Sequence, residues 1–286
     1  GLRPEGGKEP GTWRAPAALM KAGLQQAVGA RNVAELPRPA YRMAAEPGTE
    51  LRNGHEIRRF SLDLAEKVRA ALVIGAFPLI IGGDCSVLLG ALLGARQAGA
   101  RGAIHIDGHS DFKYGPTELG AAAGRDLALA TGRGDKLLTE WPGITGPLAE
   151  DADTIQIGER EALDPGFDDA YGDLRQSAIT RLIIQDVLRL GIEQSARIVL
   201  DRLEARGLNR VWLHVDLDVL DQSVLPAVDS PGSPGLTFEQ LGTLLTRLRA
   251  SGRIAGADIC IYDPDRDPER RYAGPITAML GRAFHP

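Results

Sequence analysis

The chain has 286 residues, 43% of them hydrophobic and 25% charged, which excludes a disordered or fibrous protein and leaves enough apolar mass for a large core. Its formal charge of −5 excludes the surplus of Lys and Arg that nucleic-acid or polybasic membrane binding needs, so the expected partner is a small molecule. Two cysteines, Cys85 and Cys260, exclude a disulfide framework; with no signal peptide or long apolar span in view, the expected compartment is the cytoplasm.

The first sixteen residues, "GLRPEGGKEPGTWRAP", read as a Gly/Pro-rich loop, and the missing initiator Met suggests that an N-terminal strand is absent from the chain. "LDLAEKVRAALVIGA" has the apolar spacing of a helix, and "PLIIGGD" is a short apolar run halted by glycines, the pattern of a buried strand. "SVLLGALLGARQAGA" is helical again, and "RGAIHIDGHSDF" is a second buried strand that runs into a polar loop. The alternation continues with a helix in "GRDLALATG", a strand in "DTIQIGE", a helix in "IEQSARIVLDRLEARG" and a strand in "NRVWLHVDLDVLD". "TFEQLGTLLTRLRASG" is a helix with Thr237 as N-cap and Gly252 after its end, and "IAGADICIYD" is the last strand. Strands alternating with helices of ten or more residues imply βαβ units and a parallel sheet covered on both faces. The expectation is therefore one three-layer α/β/α domain over residues 1–286.

Polar clusters follow three of these strands: Asp84 and Cys85 after "LII", "DGHSD" after "GAIHI", and "DLD" after "RVWLHV". Ligands of an open parallel sheet bind outside the carboxyl ends of its strands, so the three clusters should meet on one edge. Asp107, His109 and Asp111 are two apart, as are Asp216 and Asp218, and extended backbone turns each set to one side. A lone Asp after a strand is ordinarily a turn former or helix cap. Four carboxylates and an imidazole in one cleft are another matter, because two like charges at about 4 Å cost about 4 kcal/mol at a protein-like dielectric. A bound cation relieves that repulsion. Cys85 has three readings from its position alone: packed hydrophobe, nucleophile or metal ligand. His105 reads as a core histidine, His214 as core or as a support behind the ligands, and Cys260 as core.

The motifs "GGDCS" (82–86), "DGHSD" (107–111) and "DLD" (216–218) resemble those of the ureohydrolases, the family of arginase, agmatinase and formimidoylglutamase. "PEGGKEPGTWRAPAALMKAGL" is similar to that family's opening loop and first helix, and "PAVDSPGSPGL" to its Pro/Gly loop. The resemblance implies the arginase–deacetylase fold, a mostly parallel sheet of about eight strands, and two divalent metal ions, manganese in the family pattern. It implies one ion on Cys85, Asp107, Asp111 and Asp216, and the other on Asp107, His109, Asp216 and Asp218. It further implies a bridging hydroxide that attacks an amidine or guanidine carbon, with Asp111 bonded to that hydroxide as catalytic residue, and a homo-oligomer, trimer or hexamer.

Departures from the family pattern bear on the substrate. Cys85 stands where the family has a histidine; its thiolate would add negative charge and favour zinc or another softer ion. In "GADICIYDP" the position of a guanidinium-clamping glutamate is Ile261, which makes plain arginine a poor substrate. "LGAAAGRDLA" lacks the family's His-Gly pair, and "GEREALDPG" approximates its substrate loop, offering Arg160, Glu161 and Asp164. Lys113 replaces an asparagine that contacts the substrate carboxylate in arginases. The expectation is a metal-dependent hydrolase of a non-peptide C–N bond in a linear amidine. Its rivals are a catalytically silent metal-binding homologue and a deacetylase-like amide hydrolase.

Overall fold

The computed structural model describes residues 9–49, 51–114, 120–164, 166 and 173–286. Parts of four segments singled out above, residues 1–8, Leu119 and Pro165, lie outside the described residues. Six parallel strands form one sheet: β1 (Leu79–Ile81), β2 (Ala103–Ile106), β3 (Thr154–Ile157), β4 (Thr180–Leu182), β5 (Val211–Asp216) and β6 (Ile254–Cys260). Their spatial order is β1-β6-β5-β2-β3-β4.

The described sheet has six strands where about eight were expected. Residues 9–49 and 51–53, the described part of the chain before residue 54, contribute only short helices and irregular backbone, because their Gly, Pro and charged residues offer no apolar run to bury. The edge strand β4 was not anticipated. Three residues, "TRL", with only Leu182 buried, carry no periodicity to read.

The topology locates the functional edge. From β2 the chain moves outward to β3 and β4, and from β5 it moves the other way to β6. Neighbouring strands whose connections diverge leave a crevice at their carboxyl ends. Right-handed crossovers in opposite directions put the helix Val87–Gln97 on one face of the sheet and the helices Ile192–Ala205 and Phe238–Ala250 on the other.

Helix Gly54–Val73 buries Ile57, Ser61, Leu64, Ala65, Val68 and Leu72, a stripe at helical spacing, against Val87–Gln97. Close approach depends on Gly90: a Cβ there would lie 2.7 Å from the Ser61 carbonyl oxygen. Val87–Gln97 is buried from Val87 through Ala95, as a helix trapped between sheet and outer helix must be. Thr237 caps its helix as expected, in a reciprocal box with Gln240 at 3.1 Å and 2.9 Å. No helix among the described residues is long and apolar enough to cross a membrane.

Candidate metal centre

Register builds the site as two rows. Parallel strands in phase place residues of equal parity on one face, and paired positions form a line across the sheet. One line runs through Asp258 on β6, His214 on β5, His105 on β2 and Gln156 on β3, all fully buried. Two residues further along each strand, the next line holds Cys260, Asp216 and Asp107. Asp107 lies just past the end of β2 but keeps the ladder, its N–H donating to the Ile157 carbonyl at 3.0 Å.

Beyond the strand ends, turns rather than pleats aim the side chains. Asp107 takes the His109 N–H on Oδ1 at 2.6 Å, and Asp216 takes the Asp218 N–H on Oδ1 at 2.7 Å. Each carboxylate caps its own turn with one oxygen and keeps the other for the cleft. The two-residue spacing thus acts through a local hydrogen bond, not through extended backbone. Asp218 is held by the Gly108 N–H at 3.0 Å and by His109 Nδ1 at 2.8 Å. Asp107, His109 and Asp218 form one group whose ligand atoms lie within 4.8 Å of one another. Cys85, brought in by the loop after β1, donates its thiol to Asp216 Oδ2 at 2.9 Å and belongs to a second such group with Asp107 and His214. Asp111, at φ 45°, groups with His105 and Asp107.

The electrostatics are those of crowded carboxylates. Burial, then the Asp218 charge, raises Asp107; burial, then Asp107, raises Asp111 well above the carboxylate range; burial, then Asp218 and Asp107, does the same to Asp216. Asp218 falls the other way despite its burial, because His109 is paired with it, and His109 rises in return. Burial pushes the Cys85 thiol up, followed by its contact with Cys260 and the Asp216 charge. A nucleophilic cysteine needs an accessible thiolate in positive surroundings; Cys85 is 1% exposed among carboxylates. Both cysteines are free.

Divalent cations fit these residues. Asp107 Oδ2 is buried and makes no hydrogen bond to any described residue. The surrounding donors are oxygen, imidazole nitrogen and sulfur, and the excess negative charge is what a divalent ion neutralises. A family model described as the arginase family matches residues 4–284. The chain belongs to the arginase family. It is therefore a metal-dependent ureohydrolase by family, whose members' site is binuclear. The arginase of Bacillus caldovelox is 30% identical over 247 residues, covering 86% of this chain and 81% of the relative. The arginase of Bacillus subtilis strain 168 is 28% identical over 235 residues, covering 82% and 77%. Among solved structures, Bacillus cereus arginase superposes with a TM-score of 0.83 at 26% identity, covering 96% of this chain and 93% of that one. Formimidoylglutamase from Bacillus subtilis shares the fold, with a TM-score of 0.69 at 21% identity over 97% and 81%.

Several residues singled out in this arginase-family chain lie apart from the cluster. Lys113 and Asp164 are exposed, and no hydrogen bond of either side chain joins them to it. Glu161 is turned to the ligand loop, accepting from the Ser110 N–H at 2.8 Å and the Ser110 hydroxyl at 2.6 Å. Arg160 fills a cradle between Gly108 and Gly232, donating to the Pro234 carbonyl at 3.1 Å and to the Asp218 carbonyl. It ties two loops together and lowers Asp218. Ile261 is buried at 2% exposure with φ 77°, a strained position for a β-branched residue, and its N–H donates to the Gly83 carbonyl at 2.9 Å. Asp126, His105 and Asp258 were not anticipated beside the site. The repeated His-x-Asp of "AIHID" and "WLHVD" was the available signal, since equal offsets in neighbouring strands align.

Proposed function

We propose that the chain hydrolyses a C–N bond of a linear amidine- or guanidine-like small molecule other than plain arginine. Two divalent cations would be held, one by Cys85, Asp107, Asp111 and Asp216 and the other by Asp107, His109, Asp216 and Asp218, with Asp107 and Asp216 bridging. The observation that carries the proposal is the convergence of Asp107 and Asp216 at the crevice between β2 and β5. When bound, such cations lower the pKa of water and polarise the carbon under attack.

The chain's own groups supply the rest. Asp111, grouped with His105 and Asp107 at the strand ends, is the candidate to accept a proton from the attacking water and pass it to a leaving amine. His109 Nδ1 and Asp218 Oδ2 face each other at 2.8 Å, a pairing that a cation held by both would replace. Ile261 sets the limit on substrate: its apolar side chain cannot neutralise a buried guanidinium, so a hydroxyguanidine, a guanidino acid bound by a second anchor, or a formimino compound suits the site better. The same residue favours a second reading, a metal-binding homologue without turnover.

The test is turnover of a panel of hydroxyguanidines, guanidino acids and formimino compounds by protein loaded with Mn2+ or Zn2+, assayed for urea, ammonia and carboxylate. Urea or ammonia from at least one amidine, with arginine among the poorest substrates, is the expected result. Carboxylate release from acylated amines alone would point to amide hydrolysis. No C–N cleavage with either metal, from a preparation holding two equivalents, would leave the silent homologue standing.

A further inference from the structure

Beneath the proposed pair lies a second donor set. His105, Asp126 and His214 present ligand atoms within 4.8 Å of one another, all three residues are 0% exposed, and Asp107 adjoins them. His105 Nε2 is 3.1 Å from Asp126 Oδ1 and 3.8 Å from Asp107 Oδ2; His214 Nε2 is 3.5 Å from Asp126 Oδ2. The two imidazoles stack with centroids 4.7 Å apart. Three of the inward atoms, Asp107 Oδ2, Asp126 Oδ2 and His214 Nε2, make no hydrogen bond to any described residue.

An orphaned buried acceptor is costly, and more so when charged, so three sharing one space call for a common partner. His214 is oriented for that partner. Its Nδ1 faces Asp258 Oδ2 at 2.5 Å, and Asp258 is itself held by the Trp212 Nε1–H at 2.5 Å. With the proton on Nδ1, the Nε2 lone pair points at Asp126, the carboxylate–histidine arrangement that supports metal ligands. Donor spacing agrees: ligands about 2.1 Å from a tetrahedral ion stand roughly 3.4 Å apart.

We propose a divalent-cation site, inward of the family pair, formed by Asp107 Oδ2, Asp126 Oδ2 and His214 Nε2, with His105 Nε2–H holding the other oxygen of Asp126. Asp107 and Asp126 match the charge of one divalent ion, and an imidazole nitrogen beside them suits zinc over calcium or magnesium. It shares only Asp107 with the outer pair, so it does not rest on the substrate or on turnover.

The decisive measurement is anomalous diffraction across the zinc edge from crystals of the wild-type protein equilibrated with Zn2+ alone. A peak about 2.1 Å from His214 Nε2 and Asp126 Oδ2 is expected. Peaks only beside His109 and Asp218, or none, would overturn the site. In solution, Asp126→Asn should lose one equivalent of bound Zn2+ relative to wild type, while Asp218→Asn keeps that equivalent. Full wild-type stoichiometry in Asp126→Asn would equally defeat the proposal, and the wild-type crystal decides the matter if that variant does not fold.

Discussion

Cys85 concentrates the chemistry of this chain at one atom. Its thiol sits 2.9 Å from Asp216 Oδ2, buried, and raised by that burial. A thiol that ligates a metal does so as thiolate, so metal loading through Cys85 should release a proton. Cys85→His exchanges a soft ligand for an imidazole, and the expected outcome is a shift in the ratio of Mn2+ to Zn2+ affinity toward manganese, read by competitive dialysis. An unchanged ratio would show that sulfur does not coordinate. Asp107 and Asp216 bridge in the proposed pair, so Asp107→Ala and Asp216→Ala should each lose both outer equivalents, whereas a singly used ligand such as Asp218 should cost one when changed to Ala. Mass spectrometry of the desalted proteins gives the count, and loss of fewer than two equivalents in Asp216→Ala, a residue that belongs only to the outer pair, would sink the bridging assignment.

At the level of elements, the helices and strands flanking the site were legible because their signals are local. The "VLLGALLGA" run, the capping box at Thr237 and the alternation of apolar runs with glycine stops each declare themselves within a few residues. The edge strand β4 and the C-terminal helix Ala273–Phe284 did not: the first is three residues long, and the second opens on Gly-Pro, a pair usually read as a turn. Close packing is likewise invisible until two helices meet. Gly90→Ala places a methyl group against the Ser61 carbonyl, and the expected cost is about 1–3 kcal/mol, measured as a lower denaturation midpoint with unchanged slope. Wild-type stability in that variant would mean that the helices Gly54–Val73 and Val87–Gln97 separate freely.

For the molecule as a whole, the crowding of buried carboxylates leads to the expectation that bound cations stabilise the folded state. Ions that bind only the folded chain stabilise it by about 2.7 kcal/mol at a hundred times their Kd, so chelation should lower Tm by several degrees and added Zn2+ or Mn2+ should restore it. A Tm indifferent to chelator would argue against ions at the strand ends. The sequence by itself determined the α/β class, the strand ends that carry carboxylates and the family, because hydrophobic period, turn chemistry and motif spacing are written within short stretches of chain. Only the tertiary structure decided which groups face one another. Asp126, nineteen residues beyond Asp107 (126 − 107), closes on His214 across strands β2 and β5, and Asp258 backs that histidine from β6. Parity along a strand is local, whereas register between strands and the return of a loop over them are set by packing of the whole core.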